Sequence, residues 1–169
     1  MTGALGRFLS HDAGPFAQFV KYGAVGVAAT LVHLAVFYAL ASTCLRCLTA
    51  EDAAVRFLGL PFAQFDGGEP WWASRWFLAA AATAAAFSVA NVFCWALTRL
   101  FVFKPGKFPW FAEFALFYGA AAGATLVALL VQSALIRFAG ATTSLAAIVE
   151  VGVSFAVNFV ARRFFIFER

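Results

Sequence analysis

Four long stretches almost free of charge constrain this chain more than any other feature of its sequence. Three contain no Asp, Glu, Lys or Arg, and the fourth contains a single glutamate. The stretches are Tyr22–Leu45, Trp76–Thr98, Phe114–Ile136 and Phe138–Ala161. A helix of this length, rising ~1.5 Å per residue, crosses the ~30 Å hydrocarbon core of a bilayer. We therefore predict an all-α, polytopic membrane protein with four transmembrane helices, at about residues 20–43, 76–99, 113–136 and 142–163.

The composition excludes several classes of protein. Hydrophobic residues make up 64% of the chain and charged residues 12%, and the mean hydropathy is +0.88, which is outside the range of ordinary soluble domains. The net charge of +4 is not gathered on a basic face, so nucleic-acid binding is not expected. Cys44 and Cys47 form a C-L-R-C pattern that fits either a local disulfide or two free thiols, and Cys94 is expected to serve packing.

The distribution of basic residues predicts the orientation. Eight of the twelve lie on one predicted side, and the other four, Arg46, Arg56, Arg75 and Arg137, lie on the opposite side. Because cytoplasmic loops carry the excess of Lys and Arg, we expect a multi-pass protein of the cytoplasmic membrane with both termini in the cytoplasm. Residues 1–15 then form a cytoplasmic arm, residues 16–169 a single transmembrane domain, and residues 44–75 the outer loop.

The two halves of the chain repeat each other. At an offset of 95 residues, Phe16–Leu40 overlays Phe111–Leu135 with eleven identities in 25. At an offset of 64, Arg99-Leu-Phe-Val-Phe103 overlays Arg163-Phe-Phe-Ile-Phe167. Each half is thus predicted to be a helical hairpin that ends in R-x-F-x-F, and two hairpins of two spans each give parallel repeats.

The outer loop contains two local patterns. Thr49-Ala-Glu-Asp52 is typical of a helix N-terminus, and it predicts a short helix over Ala53–Leu58 that Gly59 and Pro61 stop. Trp71, Trp72 and Trp76 surround Arg75 at the start of the second span. This cluster fits interfacial anchoring, and Trp with Arg also fits stacking and hydrogen bonding to a sugar.

Polar residues recur within the apolar spans. In the last span, Glu150, Ser154, Asn158 and Arg162 are spaced by four and so share one helix face. A glutamate inside hydrocarbon costs several kcal/mol unless it is paired, protonated or hydrated, so its presence indicates a function. In the second span, Ser88, Asn91, Trp95 and Thr98 or Arg99 form a similar stripe.

Packing or hydrogen bonding between helices can also explain other intramembrane residues. His33 in the first span fits either a buried histidine bonded to a neighbour or a proton carrier. Gln132 in the third span is expected to bond across helices. Gly23 and Gly26 fit a close helix contact or a local bend, and ordinary packing is the favoured interpretation. The G-x-x-x-G at Gly119 and Gly123 fits a close contact within one chain or between chains.

The ordered set of motifs resembles the GtrA-like family of small four-span membrane proteins. The pieces that carry the resemblance are F-V-K-Y-G-A-V-G at Phe19–Gly26, A-L-T-R-L-F-V-F at Ala96–Phe103 and N-F-V-A-R-R-F-F-I-F at Asn158–Phe167. With the spans, they cover residues 16–167. The long outer loop departs from the shortest members of the family, and Cys94 stands in the first half where Asn158 stands in the second.

The resemblance implies a role in making cell-surface polysaccharides, by moving a polyprenyl-phosphate-linked sugar from the cytoplasmic to the outer leaflet. A membrane glycosyltransferase is then the implied partner. In this interpretation a head-group phosphate binds to Arg99, Arg162 and Arg163. The sugar follows a polar track, which we assign to Glu150, Ser154, Asn158, Asn91 and His33.

Two other functions fit the same residues. A small multidrug-type, proton-coupled exporter would use Glu150 to bind a cationic substrate, and a scaffold would recruit a glycosyltransferase without transporting anything. We expect no enzymatic activity, no cofactor and no metal site, because the sequence shows no nucleotide-binding loop, acidic cluster or metal-ligand spacing. Membrane lipids are expected neighbours, and the small enclosed volume of four spans favours a homo-oligomer.

Overall fold

The computed structural model describes residues 15–102 and 109–162, with side chains from Val20 to Phe101, from Pro109 to Ser154 and at Val157. Five α-helices occur in these ranges. They are α1 (Pro15–Ser42), α2 (Ala53–Leu58), α3 (Arg75–Leu97), α4 (Trp110–Phe138) and α5 (Thr143–Arg162). A 3₁₀ turn at Trp71–Ala73 precedes α3, a π-helical segment at Thr98–Val102 extends it, and the described residues contain no strand.

Three helical segments are long and apolar enough to cross a membrane. They are Val20–Ser42, Arg75–Phe101 and Trp110–Phe138. The fourth predicted span corresponds to α5, whose apolar part within the described residues is Thr143–Ser154 and is shorter than a full crossing. The all-helical, multi-pass architecture is thus confirmed with three to four candidate spans, and the fourth crossing stays a prediction.

The long helices pack in the order of the chain. The most extensive contacts join α1 to α3 and α4 to α5, which are the two predicted hairpins, and α3 packs against α4 between them. Among the described residues, α1 and α5 are not a closely packed pair. The bundle therefore has a seam between its first and last helices. The parallel relation of the two hairpins stays a prediction.

Small residues allow the close contacts within the bundle. Ala79, Ala82 and Ala86 of α3 are fully buried, and so is Ala128 of α4. These buried alanines let α3 pack closely against its neighbours. Among the described residues, a Cβ placed on Gly23, Gly26, Gly119 or Gly123 would meet no atom within 4 Å, so these glycines do not make a close helix contact there. A close contact between chains at Gly119 and Gly123 stays a prediction.

The outer loop folds back over one end of the bundle, which we call the loop end. After α1, Arg46 adopts a left-handed conformation (φ 42°) and turns the chain inward. Cys47 and Leu48 are then fully buried against Phe37 of α1 and against the alanines of α3 and α5. Cys44 and Cys47 are free thiols, so the structure has no disulfide between them. The loop thus closes the core at this end.

The short helix of the loop has the predicted bounds, but its N-terminus is not capped by the side chain of Asp52. It covers Ala53–Leu58 and ends at Gly59, whose positive φ of 65° an L side chain would resist. Asp52 is the N-cap residue, yet its side chain makes no capping bond to α2. Instead, its carboxylate accepts hydrogen bonds from the backbone N–H of Thr49 and from the backbone N–H of Ser144 in the first turn of α5.

Candidate functional site

The intramembrane acid and the intramembrane histidine meet across the seam. Glu150 of α5 is buried, with 2% of its surface exposed, and its Oε2 lies 3.5 Å from Nε2 of His33 on α1. This distance gives an electrostatic contact, and the geometry does not make a hydrogen bond, because Oε2 has no hydrogen-bond partner in the described structure. A carboxylate so buried and so weakly partnered is costly in hydrocarbon, which is the pattern of a functional group.

A second polar pair joins the two middle helices. Thr83 Oγ1 of α3 donates to Gln132 Oε1 of α4 over 2.9 Å, and both residues are fully buried. The prediction that Gln132 bonds across helices is thus confirmed. Its Nε2, which can donate two hydrogen bonds, has no partner within the described part of the chain. This amide is therefore available to a hydroxyl or another acceptor that enters the bundle.

The two pairs lie at a similar depth. Counted at ~1.5 Å per residue from the helix termini at the loop end, all four residues are about 9–14 Å below it. We call them the polar layer: His33, Thr83, Gln132 and Glu150. Each of the four long helices contributes one member. His33 and Glu150 are candidates predicted from the sequence, and Thr83 is not. The number of residues between Thr83 and the start of its span is the sequence signal that places it at this level.

Three more buried polar groups without hydrogen-bond partners lie along α3, beyond the polar layer and farther from the loop end. Asn91 Nδ2, Trp95 Nε1 and Thr98 Oγ1 are buried, and none forms a hydrogen bond in the described structure. Their spacing of four and three residues puts them on one face of the helix. Asn91, a predicted track residue, thus lies inside the bundle. The π-helical segment begins at Thr98, and such segments occur frequently at functional sites.

The predicted phosphate site is described only in part. Arg99 Nη1 lies 3.0 Å from Glu113 Oε2, and the guanidinium lies 5.7 Å from the ring centroid of Trp95. Nearby, the buried Lys21 donates from Nζ to the carbonyl of Phe101. Arg99 is therefore already paired with an acid, so a phosphate at this position would share or replace Glu113.

The remaining predicted residues lie towards the end of α5. Ser154 is one turn beyond Glu150 and is partly buried. Asn158 and Arg162 belong to α5, but their side chains lie outside the described residues, as does the whole of Arg163. The structure thus brings Glu150 and His33 together, places Asn91 inside the bundle, and leaves the grouping of the three arginines a prediction.

The loop end lies directly above the polar layer. Phe37, one turn above His33 on α1, is fully buried with Leu48. Thr143 Oγ1 of α5 donates to the Cys47 carbonyl over 2.6 Å, and the carboxylate of Asp52 holds the first turn of α5. Buried loop residues thus cover the bundle on the side of α1 and α5 at the loop end.

Taken together, the fold and the site define a small multi-pass helical membrane protein with polar groups buried among its spans. The family described as GtrA/DPMS, transmembrane domain, matches residues 71–167, which is more than half of the chain. The chain belongs to this family, as its motifs predicted. Membership indicates a membrane protein of glycan synthesis. None of the curated proteins and none of the solved structures compared with the chain matches it.

The matched segment divides the polar layer. It contains α3, α4 and α5, and with them Thr83, Gln132 and Glu150. His33 on α1 lies before it.

Proposed function

We propose that this protein translocates a polyprenyl-phosphate-linked sugar across the cytoplasmic membrane, for the modification of a cell-surface polysaccharide or other glycan. The observation that carries this proposal is the His33–Glu150 pair at the seam between α1 and α5. A lipid-linked sugar must enter from the side, because its tail stays in the bilayer. A seam joined by polar side chains offers such an opening, whereas a closely packed helix contact does not.

The polar layer supplies the groups that a sugar needs inside hydrocarbon. The carboxylate of Glu150 accepts hydrogen bonds from sugar hydroxyls, and the free amide of Gln132 donates to them. Hydroxyls that insert between His33 and Glu150 would replace a weak contact with better-directed hydrogen bonds. Because an unpaired polar group in hydrocarbon costs several kcal/mol, these exchanges lower the barrier to passage of the head group.

The phosphate needs a cationic site where the head group enters. We assign this role to Arg99, Arg162 and Arg163, as the sequence predicts. Arg99 has five N–H donors and uses Nη1 for Glu113, so further donors are available for a phosphate oxygen. In this proposal both termini are cytoplasmic, the protein itself is not an enzyme, and a membrane glycosyltransferase uses the sugar on the outer side.

The test measures leaflet exposure of a labelled polyprenyl-phosphate sugar in proteoliposomes that contain the full chain. Wild type should expose the probe at least tenfold faster than empty liposomes. Glu150→Gln, which keeps the shape and removes the charge, should lower the rate at least tenfold. Glu51→Gln is the matched control, because Glu51 is an exposed acid of the outer loop, and it should leave the rate within twofold of wild type.

Two results would overturn the proposal. If wild type leaves the probe at the rate of empty liposomes, the chain does not translocate it, and a scaffold for a glycosyltransferase explains the family membership better. If the same liposomes instead accumulate tetraphenylphosphonium when a proton gradient is imposed, and Glu150→Gln abolishes that uptake, the chain is a cation exporter.

A further inference from the structure

A groove of about 440 Å³ opens at the loop end, away from the polar layer and from the Arg99 region. The turn before α3 forms one wall, and the last turn of α4 forms the other. Its lining includes Phe65, Glu69, Trp71, Arg75, Trp76 and Arg137. The volume is within the ~300–1,000 Å³ of small-molecule sites. The function proposed above assigns no role to these residues.

Two guanidinium groups give the groove a positive charge. Arg75 is the first residue of α3 and Arg137 is in the last turn of α4, so both lie at the boundary of the predicted spans. The Arg137 guanidinium lies 5.4 Å from the ring centroids of both Trp76 and Phe138, which holds it in place. Within the described ranges, neither arginine forms an ion pair with an acid. Such guanidinium groups are suited to phosphate.

The aromatic side of the groove is suited to a sugar. Trp71 is 61% exposed, although its ring is braced edge-to-face by Phe77 at 5.1 Å. An exposed indole at a fixed angle provides a flat apolar surface with one N–H donor. Glu69 is held by the backbone N–H groups of Asp66 and Gly67, and each carboxylate oxygen has a further lone pair for a hydroxyl.

We propose that this groove binds the sugar-phosphate head group of the lipid-linked substrate at the leaflet on the loop side of the membrane. Arg75 and Arg137 bind the phosphate, Trp71 stacks on the sugar, and the prenyl tail remains in the bilayer. This inference rests on the proposed function and deepens it, because it adds a second binding site for the same substrate. The predicted orientation places this binding site on the outer side, where a glycosyltransferase would use the sugar.

The position of the groove favours a lipid-linked ligand over a soluble one. Arg75 and Arg137 lie where two span segments end, which is the level of lipid phosphates in a bilayer. Three ligands share the phosphate chemistry: a polyprenyl-phosphate sugar, an ordinary anionic phospholipid and free phosphate. Only the first also uses the indole of Trp71, and this difference separates them.

The experiment uses the full chain in phosphatidylcholine nanodiscs and a photoreactive farnesyl phosphoryl glucose, with the reactive group on the first prenyl unit. Mass spectrometry should locate the cross-link in the peptides that contain residues 65–76 and 136–137. The double variant Arg75→Gln/Arg137→Gln should lower this cross-link at least tenfold. Arg56→Gln is the matched control, because Arg56 is an exposed arginine of the same loop that does not line the groove, and it should leave the cross-link unchanged.

A matched pair of tryptophan variants tests whether the groove recognises the sugar. Trp71→Leu should reduce the preference for farnesyl phosphoryl glucose over farnesyl phosphate at least threefold. Trp72→Leu should not, because Trp72 is similarly exposed (57%) and adjacent but does not line the groove. Equal loss in both variants would overturn the sugar assignment, and so would a wild type without any preference.

Competition separates the sources of phosphate. Millimolar inorganic phosphate and nanodiscs that contain phosphatidylglycerol should each reduce the cross-link less than twofold. Abolition by either one would overturn the proposal, because the groove would then be a general anion or anionic-lipid site. Arg75→Lys/Arg137→Lys keeps both charges and should restore at least a third of the cross-link. Absence of restoration, with an unchanged unfolding temperature, contradicts phosphate binding by these residues.

The leaflet-exposure measurement separates this inference from the function that it rests on. A cross-link in the groove with no leaflet exposure by wild type would leave the groove in place and remove the translocation. Normal leaflet exposure with no cross-link at residues 65–76 or 136–137 would remove the groove and leave the translocation.

Discussion

At the scale of single residues, Glu150 is a buried acid with one carboxylate oxygen that has no hydrogen-bond partner among the described residues. The carboxylate is buried, its contact to His33 is 3.5 Å long, and its Oε2 accepts no hydrogen bond. A leucine at this position would pack without that cost. The Glu150 side chain is therefore the group whose burial most needs a functional explanation, and the leaflet-exposure test with Glu150→Gln addresses it directly.

Cys44 and Cys47 provide a residue-scale prediction. Burial is the main cause that raises the pKa of the Cys47 thiol to about 12, and the nearby Asp52 adds to the effect. Only the thiolate reacts, so Cys47 should resist iodoacetamide at pH 8 in the folded protein, whereas the exposed Cys44 should be alkylated. Mass spectrometry of the peptides checks this. Alkylation of Cys47 at the rate of Cys44 would show that the loop does not cover the core.

The same thiol predicts how stability changes with pH. In the unfolded chain Cys47 ionises near its ordinary pKa of 9.0, and in the folded protein it keeps its proton until about 12. Its contribution to stability is therefore complete below pH 9 and is lost as the pH rises from 9 to 12. Over that range the unfolding temperature should fall more steeply in wild type than in Cys47→Ala. Parallel curves for the two proteins would contradict the assignment.

At the scale of elements, the outer loop is held to α5 by one carboxylate. Asp52 is fully buried and caps the first turn of α5 through Ser144, although it is 92 positions away in sequence. Removing a helix cap costs ~0.5–2 kcal/mol, and leaving buried donors unpaired costs ~1–3 kcal/mol. Asp52→Ala should therefore destabilise the protein by about 2 kcal/mol, whereas the exposed neighbour Glu51→Ala should change it by less than about 0.5 kcal/mol.

The measurement is the free energy of unfolding of wild type and of both variants in the same detergent. If Asp52→Ala and Glu51→Ala have equal effects, the loop is not held by this contact. The expected difference has a structural reason. Asp52 accepts hydrogen bonds from Thr49 of the loop and from Ser144 of α5, whereas Glu51 is exposed.

The elements show how far the sequence predicts this fold. Periodicity and lack of charge were enough to place α1, α3 and α4 to within a few residues, because a bilayer imposes both length and apolarity on a span. The C-terminal bound of α2 follows from Gly59, which acts locally, whereas the Asp52 side chain does not form the capping bond to α2 that the sequence pattern predicts. The docking of Asp52 on α5 could not be predicted, since nothing local relates residue 52 to residue 144.

The candidate site was predictable to a similar degree. Glu150 and His33 are conspicuous as ionisable residues in apolar runs, yet their pairing depends on which helices close the bundle. Thr83 is unremarkable in sequence and becomes part of the site only through its bond to Gln132. The groove joins Arg75 to Arg137, which are brought together by the packing of α3 against α4.

At the scale of the whole molecule, the two halves of the chain align in sequence but carry different residues at the positions of His33 and Glu150. At the offset of 95 residues His33 corresponds to Ala128, and at the offset of 64 Glu150 corresponds to Ala86. Both alanines are fully buried, on α4 and α3, which pack against each other. The corresponding positions thus hold buried alanines on the middle helices and an acid–histidine pair at the seam. The middle helices pack closely against each other, whereas α1 and α5 are not a closely packed pair among the described residues.

The direction of the whole bundle gives the last prediction. Arg46, Arg56, Arg75 and Arg137 belong to the loop end, and the larger group of basic residues is predicted at the opposite end. If the positive-inside rule decides the orientation, the loop end faces outward. The exposed thiol of Cys44 lies at that end and reports on it. A membrane-impermeant maleimide should therefore label intact cells that express wild type. It should not label Cys44→Ser, because Cys47 is buried and Cys94 lies within the α3 span. Labelling that requires permeabilised cells would invert the topology, and the groove of Arg75 and Arg137 would then face the side on which the lipid-linked sugar is made.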